Sequence, residues 1–285
     1  MLFHGRKIVI VGLGLIGGSY AMSLHRQGYE VGAIDIDPAA IAYALKNNII
    51  DEGTTSGAAL LKEAGLVISG LYPTTMVNWL RDNQAYFRPG CIVTDTSGVK
   101  RAVLYEVQDF LRADVEFIGA HPMAGREVIG VQYSDDRIFQ DANFIITPTD
   151  KNKPETVALI RKLGEILGFS RISEISPEEH DQMVGYLSQL THVIAVSLMN
   201  ANENENLMAY TGDSFRDLTR IAKINDGLWT ELFLLNRDIL VPEIDSFVET
   251  LQDMRQKIVK EDREGLKKLF IQSTERRKLF DKPKQ

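Results

Sequence analysis

The strongest constraint on the fold of this chain is the run Val11-Gly12-Leu13-Gly14-Leu15-Ile16-Gly17-Gly18-Ser19, which follows the apolar stretch KIVIV at 7–11. The pattern G-x-G-x-x-G after a strand and at the start of a helix has a physical meaning. Gly12 allows the tight turn, Gly14 lets a pyrophosphate approach the backbone, and Gly17 lets helix and strand pack closely. The helix N-terminus, with Leu15 and Ile16 in its first turn, faces the phosphate charge. A second apolar run, at 30–34, ends at Asp35. A carboxylate about 20 residues after the glycines can accept hydrogen bonds from an adenosine ribose, and its charge would repel a 2′-phosphate. The turn therefore points to NAD rather than NADP. The uncharged stretch at 8–24 is also too short and too glycine-rich for a membrane span, which needs ~20 apolar residues.

The rest of the first half repeats this alternation. Apolar runs at 66–69, 91–94, 117–120, 143–147 and 170–175 are separated by helical patterns at 38–48, 73–87, 99–111 and 154–167. Such a series predicts a Rossmann-type α/β domain, a parallel sheet covered by helices on both faces. At Ser176-Pro177-Glu178-Glu179 a capping box with proline at the first helical position opens a different regime. Helical periods are expected over 179–202, 213–223, 228–240, 244–259 and 263–280, with no strand among them. The expectation is thus an NAD-binding domain over 1–173 and an all-α C-terminal domain over 174–285.

Composition narrows the function. The 285 residues carry 32 Lys and Arg against 39 Asp and Glu, a net charge of −7. An acidic chain is a poor general binder of nucleic acid. The single cysteine excludes an intrachain disulfide and a cysteine-based zinc site, and no metal site is expected. Because the stretch at 8–24 is neither a membrane span nor a targeting signal, a cytoplasmic location is expected. Imidazole chemistry must come from 5 histidines.

Ligands of an open parallel sheet lie beyond the carboxyl ends of its strands. Leu71-Tyr72-Pro73, Asp95-Thr96-Ser97-Gly98-Val99-Lys100 and Gly119-Ala120-His121-Pro122-Met123-Ala124-Gly125-Arg126-Glu127 all fall there. Tyr72, Pro73 and Ser97 are candidates for cofactor contact, and His121, at a strand end beside the dinucleotide turn, for catalysis. On an α-helical period Asp181, Ser188 and His192 share one stripe, either capping a site or forming a buried network. His180 points away from that stripe and reads as structural or exposed. Arg216 and Arg220 stand at i, i+4, either a solvated face or an arginine clamp for a carboxylate.

Together these segments resemble the prephenate/arogenate dehydrogenase family of tyrosine biosynthesis. The motifs are GLGLIGGS at 12–19, GAHPMAGRE at 119–127, His180-Asp181, SQLTH at 188–192, and TRIA with Trp229. The resemblance covers nearly the whole chain. It implies a helical dimerisation domain, hence a homodimer, and NAD-dependent oxidative decarboxylation of prephenate to 4-hydroxyphenylpyruvate. It also implies His121 as the base on the ring hydroxyl, His192 helping to position the substrate, and Arg220 on a substrate carboxylate. Asp181 and Arg216 are implied as a supporting ion pair.

Several positions depart from the family pattern. Ser97-Gly98 inverts the usual Gly-Ser order, so the loop serine is displaced by one position. Gln189 and Thr191 stand where histidine and proline are common. Arg126 replaces a small polar residue and is a candidate reader of the substrate side chain, which leaves arogenate as an alternative substrate. A β-hydroxyacid dehydrogenase would need a lysine on the helix after the sheet, and 176–206 contains none. A non-catalytic NAD sensor would have no need of His121, His192 and Arg220 together.

Overall fold

The computed structural model describes residues 7–281, so His4 lies outside the described residues. Strands and helices alternate first as β1 (Lys7–Val11), α1 (Leu15–Arg26), β2 (Val31–Ile34), α2 (Pro38–Lys46), β3 (Glu52–Thr54) and α3 (Ala58–Glu63). They continue as β4 (Ala64–Ser69), α4 (Pro73–Asn83), β5 (Ile92–Asp95), α5 (Arg101–Phe110) and β6 (Glu116–Pro122). The series closes with β7 (Asn143–Thr147), α6 (Pro154–Leu167) and β8 (Arg171–Glu174). They build one 8-stranded sheet in the order β3-β2-β1-β4-β5-β6-β7-β8. Chain order reverses direction between β1 and β4, which opens the crevice where doubly wound sheets take their ligands.

Successive strand residues point to opposite faces, and both faces are apolar. Ile8, Ile10, Leu66, Ile68 and Ile118 enter one core layer, with α1 and α6. Val9, Val11, Val67, Val93 and Phe117 enter the other, with α4 and α5. Burial on both sides explains why these strands read as continuous apolar runs. The sheet is not wholly parallel, because β7 runs antiparallel to β6 with His121 opposite Ile145. The short β3 and α3 were absent from the expected series. Glu52-Gly53-Thr54 is a polar edge strand with no apolar period to reveal it.

After β8 the described elements are helical: α7 (Pro177–Val184), α8 (Thr191–Asn200), α9 (Asp213–Thr219), α10 (Asp226–Leu235), α11 (Arg237–Val259) and α12 (Arg263–Lys278). Ser176 and Glu179 form the full capping box at the start of α7. The helix expected over 228–240 is two helices, broken at Asn236, whose buried side chain turns inward. Two compact units divide the chain, one ending at Arg237 and the other beginning at Asp238. The strand-to-helix change at Glu174–Pro177 therefore precedes the compactness boundary, because Leu228, Trp229, Leu232 and Leu235 of α10 join the second core layer of the sheet. In the second unit, α11 carries Pro242 in its interior, and Asp262 caps α12.

Candidate active site

The glycine turn has the form a dinucleotide requires. Gly12 adopts φ +94°, a left-handed conformation that favours glycine. A Cβ at Gly17 would overlap the Gly12 carbonyl oxygen, whereas one at Gly14 would meet nothing within 4 Å. Gly14 caps α1 without a side-chain hydrogen bond, leaving the first-turn amides, beginning at Leu15 and Ile16, to a ligand. Asp35 is held against this turn, its carboxylate accepting from the Leu13 amide (2.6 Å) and the Asp37 amide (2.8 Å). Each oxygen keeps a lone pair for a ribose hydroxyl. The loop after β4 borders the same turn, since the Gly70 amide donates to the Val11 carbonyl (2.7 Å). Tyr72 caps α4 there, Pro73 occupies its first position, and the Tyr72 hydroxyl accepts from Asn225 (2.7 Å).

At the end of β6, His121 is half-buried and its Nδ1 lies 2.8 Å from His180 Nε2. His180 Nδ1 lies 2.8 Å from Asp181 Oδ1. Asp181 also accepts from the Lys100 amide (2.8 Å) and the Arg101 amide (2.9 Å). Burial pushes both His121 and His180 below the usual imidazole value; the neighbouring His180 and Lys100 add to this at His121. Burial alone would raise the Asp181 carboxyl, but His180 and the two backbone amides hold it below its usual value. The surroundings favour two neutral imidazoles and one carboxylate.

Beneath them lies a wholly buried ion pair. Lys100 Nζ reaches Asp95 Oδ2 (2.6 Å), the Ala120 carbonyl (2.7 Å) and Ser97 Oγ (3.3 Å), an acceptor for each ammonium proton. Asp95 Oδ1 accepts from the Ala120 amide (3.0 Å). The two backbone groups of the residue before His121 are thus tied to the end of β5 and to Lys100 beyond it. Ser97 is a correction to the expected cofactor contact. It is buried, and its hydroxyl bridges Asp95 and the Val99 carbonyl inside its own loop. Gly98 borders the histidine, for a Cβ there would stand 3.9 Å from His121 Cε1.

The expected stripe of Asp181, Ser188 and His192 is also corrected. Residues Gly185–Leu190 form a π-helical turn, which shifts the phase of everything that follows. Buried Gln189 holds the turn, donating to the Leu232 carbonyl (3.1 Å) and accepting from Asn236 (2.9 Å). Asp181 belongs to the His121 cluster, while Ser188 and His192 belong to another. The Ser188 carbonyl lies 2.8 Å from His192 Nδ1, and the His192 ring stacks on Trp229 with centroids 3.6 Å apart. Burial lowers the affinity of His192 for a proton. Arg220 stands close by and pairs with Glu127 (2.7 Å).

The ion pair expected between Asp181 and Arg216 does not form. Arg216 is exposed and pairs with Asp213 (3.1 Å), one helical turn away. Arg126 pairs with Asp135 (3.1 Å), which Arg137 also engages. Sequence reasoning missed Asp95, Lys100 and His180. The adjacency of His180 and Asp181 was the available signal, obscured by the α-helical period applied across a π turn. Among the described residues no cluster of potential metal ligands occurs.

The model for the prephenate dehydrogenase nucleotide-binding domain matches residues 20–171, and that for the prephenate dehydrogenase dimerization domain matches 176–272. The chain belongs to the prephenate dehydrogenase family. Prephenate dehydrogenase of Bacillus subtilis (strain 168) is 30% identical over 272 residues, covering 92% of this chain and 73% of that protein. Family structures superpose closely. That of A. aeolicus prephenate dehydrogenase with hydroxyphenyl propionate and NAD+ gives a TM-score of 0.89 at 32% identity, covering 97% of this chain and 98% of that one. Synechocystis arogenate dehydrogenase gives 0.83 at 26% identity, covering 97% and 100%.

Proposed function

We propose that this chain is a prephenate dehydrogenase, catalysing NAD-dependent oxidative decarboxylation of prephenate to 4-hydroxyphenylpyruvate. The observation that carries the reading is His121, a desolvated neutral imidazole at the carboxyl edge of the sheet that holds the glycine turn. Bound NAD would accept a hydride from the ring carbon bearing the hydroxyl. His121 takes the hydroxyl proton as that hydride leaves, a task suited to an imidazole uncharged at neutral pH. Loss of the ring carboxylate as CO2 makes the ring aromatic, and the proton returns from His121 to the phenolate oxygen.

Gly12, Gly14 and Gly17 shape the pyrophosphate site, and Asp35 holds the ribose. Tyr72 and Pro73 flank it on the next loop. Arg220 would exchange Glu127 for a substrate carboxylate, with Ser188, His192 and Trp229 forming the wall beside it. Arg126 and Arg216, exposed and paired with aspartates, serve at most the rim of the site. A cytoplasmic location goes with this reading. The described helices include none long and apolar enough to cross a membrane. A homodimer fits the apolar side chains left bare on a single chain, among them Met208 and Tyr210 at 82% and 85% exposure.

The deciding experiment incubates the protein with NAD and either prephenate or arogenate and follows NADH by its absorbance. NADH with prephenate is expected. NADH with arogenate alone would reassign the substrate, and none with either would leave an NAD-binding protein without this activity.

A further inference from the structure

The chain His121–His180–Asp181 carries information beyond proximity. Asp181 receives the backbone N–H groups of Lys100 and Arg101, which can only donate. The carboxylate is therefore an acceptor toward His180 as well, and His180 must carry its proton on Nδ1. Its Nε2 then presents a lone pair to His121 Nδ1 at 2.8 Å. A lone pair on His121 Nδ1 would oppose it, so that nitrogen bears the proton. The one remaining ring nitrogen, Nε2, is left unprotonated. Which nitrogen of an imidazole is basic is set by the hydrogen bond the other makes.

We propose that His180 and Asp181 are positioning residues that fix His121 as its Nδ1–H tautomer and hold its Nε2 as the base of the reaction. The inference rests on the prephenate dehydrogenase reading above. The arrangement is rigid by construction. His180 is wholly buried, Asp181 is 1% exposed, and the Asn236 amide donates to the Asp181 carbonyl (3.0 Å). The other charged groups facing the pair are Asp95 at the end of β5, Lys100 at the N-cap of α5 and Arg101 at its first position. Lys100 and Asp95 neutralise each other, and the Asp181 carboxylate, itself paired with Arg101 Nε (3.5 Å), reaches the His121 ring through one hydrogen-bonded neighbour. When His121 takes a proton on Nε2, its Nδ1–H bond to His180 becomes charge-assisted and stronger. Desolvation opposes that imidazolium, and Asp181 offsets part of the opposition.

The test begins with wild-type protein labelled with 15N in histidine, in which two-bond proton–nitrogen correlations report the tautomer of each ring. His121 is assigned by the signal lost in His121→Asn. Protonation on Nδ1 is expected; protonation on Nε2 would overturn the proposal whatever the activity. His180→Leu then removes the acceptor. Turnover of prephenate should fall roughly 10²-fold, on the scale of a lost acid–base arrangement, with KM and NAD affinity within about twofold. His180→Gln places an amide oxygen where Nε2 stands and should recover at least about tenfold of that loss. Wild-type turnover in His180→Leu would also overturn the proposal. Should the leucine variant fail to fold, the wild-type tautomer decides alone. A wild-type protein that does not oxidise prephenate would refute the activity reading while leaving the tautomer measurement intact.

Discussion

In the proposed reaction His121 and Arg220 carry the chemistry, and their surroundings differ. His121 is anchored from behind by His180 and from its own strand by the Asp95–Lys100 pair, so replacing it should leave the cradle for NAD intact. His121→Asn is expected to keep NAD affinity, measured by nucleotide fluorescence, and to lose turnover by roughly 10²-fold or more. An unchanged rate would remove His121 from the mechanism. Arg220 has 67% of its side chain exposed and pairs with Glu127, which on the proposed reading gives way to a substrate carboxylate. A charge-assisted hydrogen bond contributes about 1.5–3 kcal/mol, so Arg220→Ala should raise KM for prephenate roughly 10- to 150-fold. A wild-type KM in steady-state kinetics would return Arg220 to the role of a surface cation.

The turn between β1 and α1 separates folding from function within a single element. Gly17→Ala drives a methyl group into the Gly12 carbonyl, so it should lower the thermal midpoint and abolish NAD binding together. Gly14→Ala meets open space and costs at most about 1 kcal/mol as a poorer N-cap. It should therefore fold almost as the wild type does yet bind NAD weakly, since the methyl group occupies the approach of the pyrophosphate. Calorimetry with and without NAD distinguishes the two. Equal losses of stability in both variants would refute this account of the turn. The π turn between α7 and α8 works at the same scale. It places Asp181 with one histidine and Ser188 with another, which a regular helix would not do.

Across the whole molecule, three buried or half-buried histidines face the same proton balance. His121, His180 and His192 all lie below the usual value of 6.5, with burial the leading cause in each. As pH falls through about 6.5, the unfolded chain takes up protons that the fold refuses, so stability declines. Asp181 acts in the same direction at lower pH, where its unfolded carboxyl is protonated first. The thermal midpoint should therefore drop steadily from pH 7 to pH 5, and the slope should be shallower in His121→Asn. A midpoint that is flat or rising toward pH 5 would contradict the neutral state assigned to these rings.

Much of this protein is legible in its sequence because local rules carry it. Strand–glycine turn–helix order, the acid at Asp35 and the Ser176 capping box depend on neighbours a few residues apart, and each appears where the pattern puts it. Apolar runs announce strands buried on both faces, and the histidine loop announces His121. What the tertiary structure decided depends on residues far apart in the chain. His180 reaches His121 from 59 positions away, and Asp181 reaches Lys100 from 81. Gln189 and Asn236 stabilise a π turn that no periodicity foretells. Ser97 turns into its own loop because a buried lysine and aspartate await it there. Periodicity reports which face of an element is apolar; it carries no information on which polar groups meet once those faces are packed.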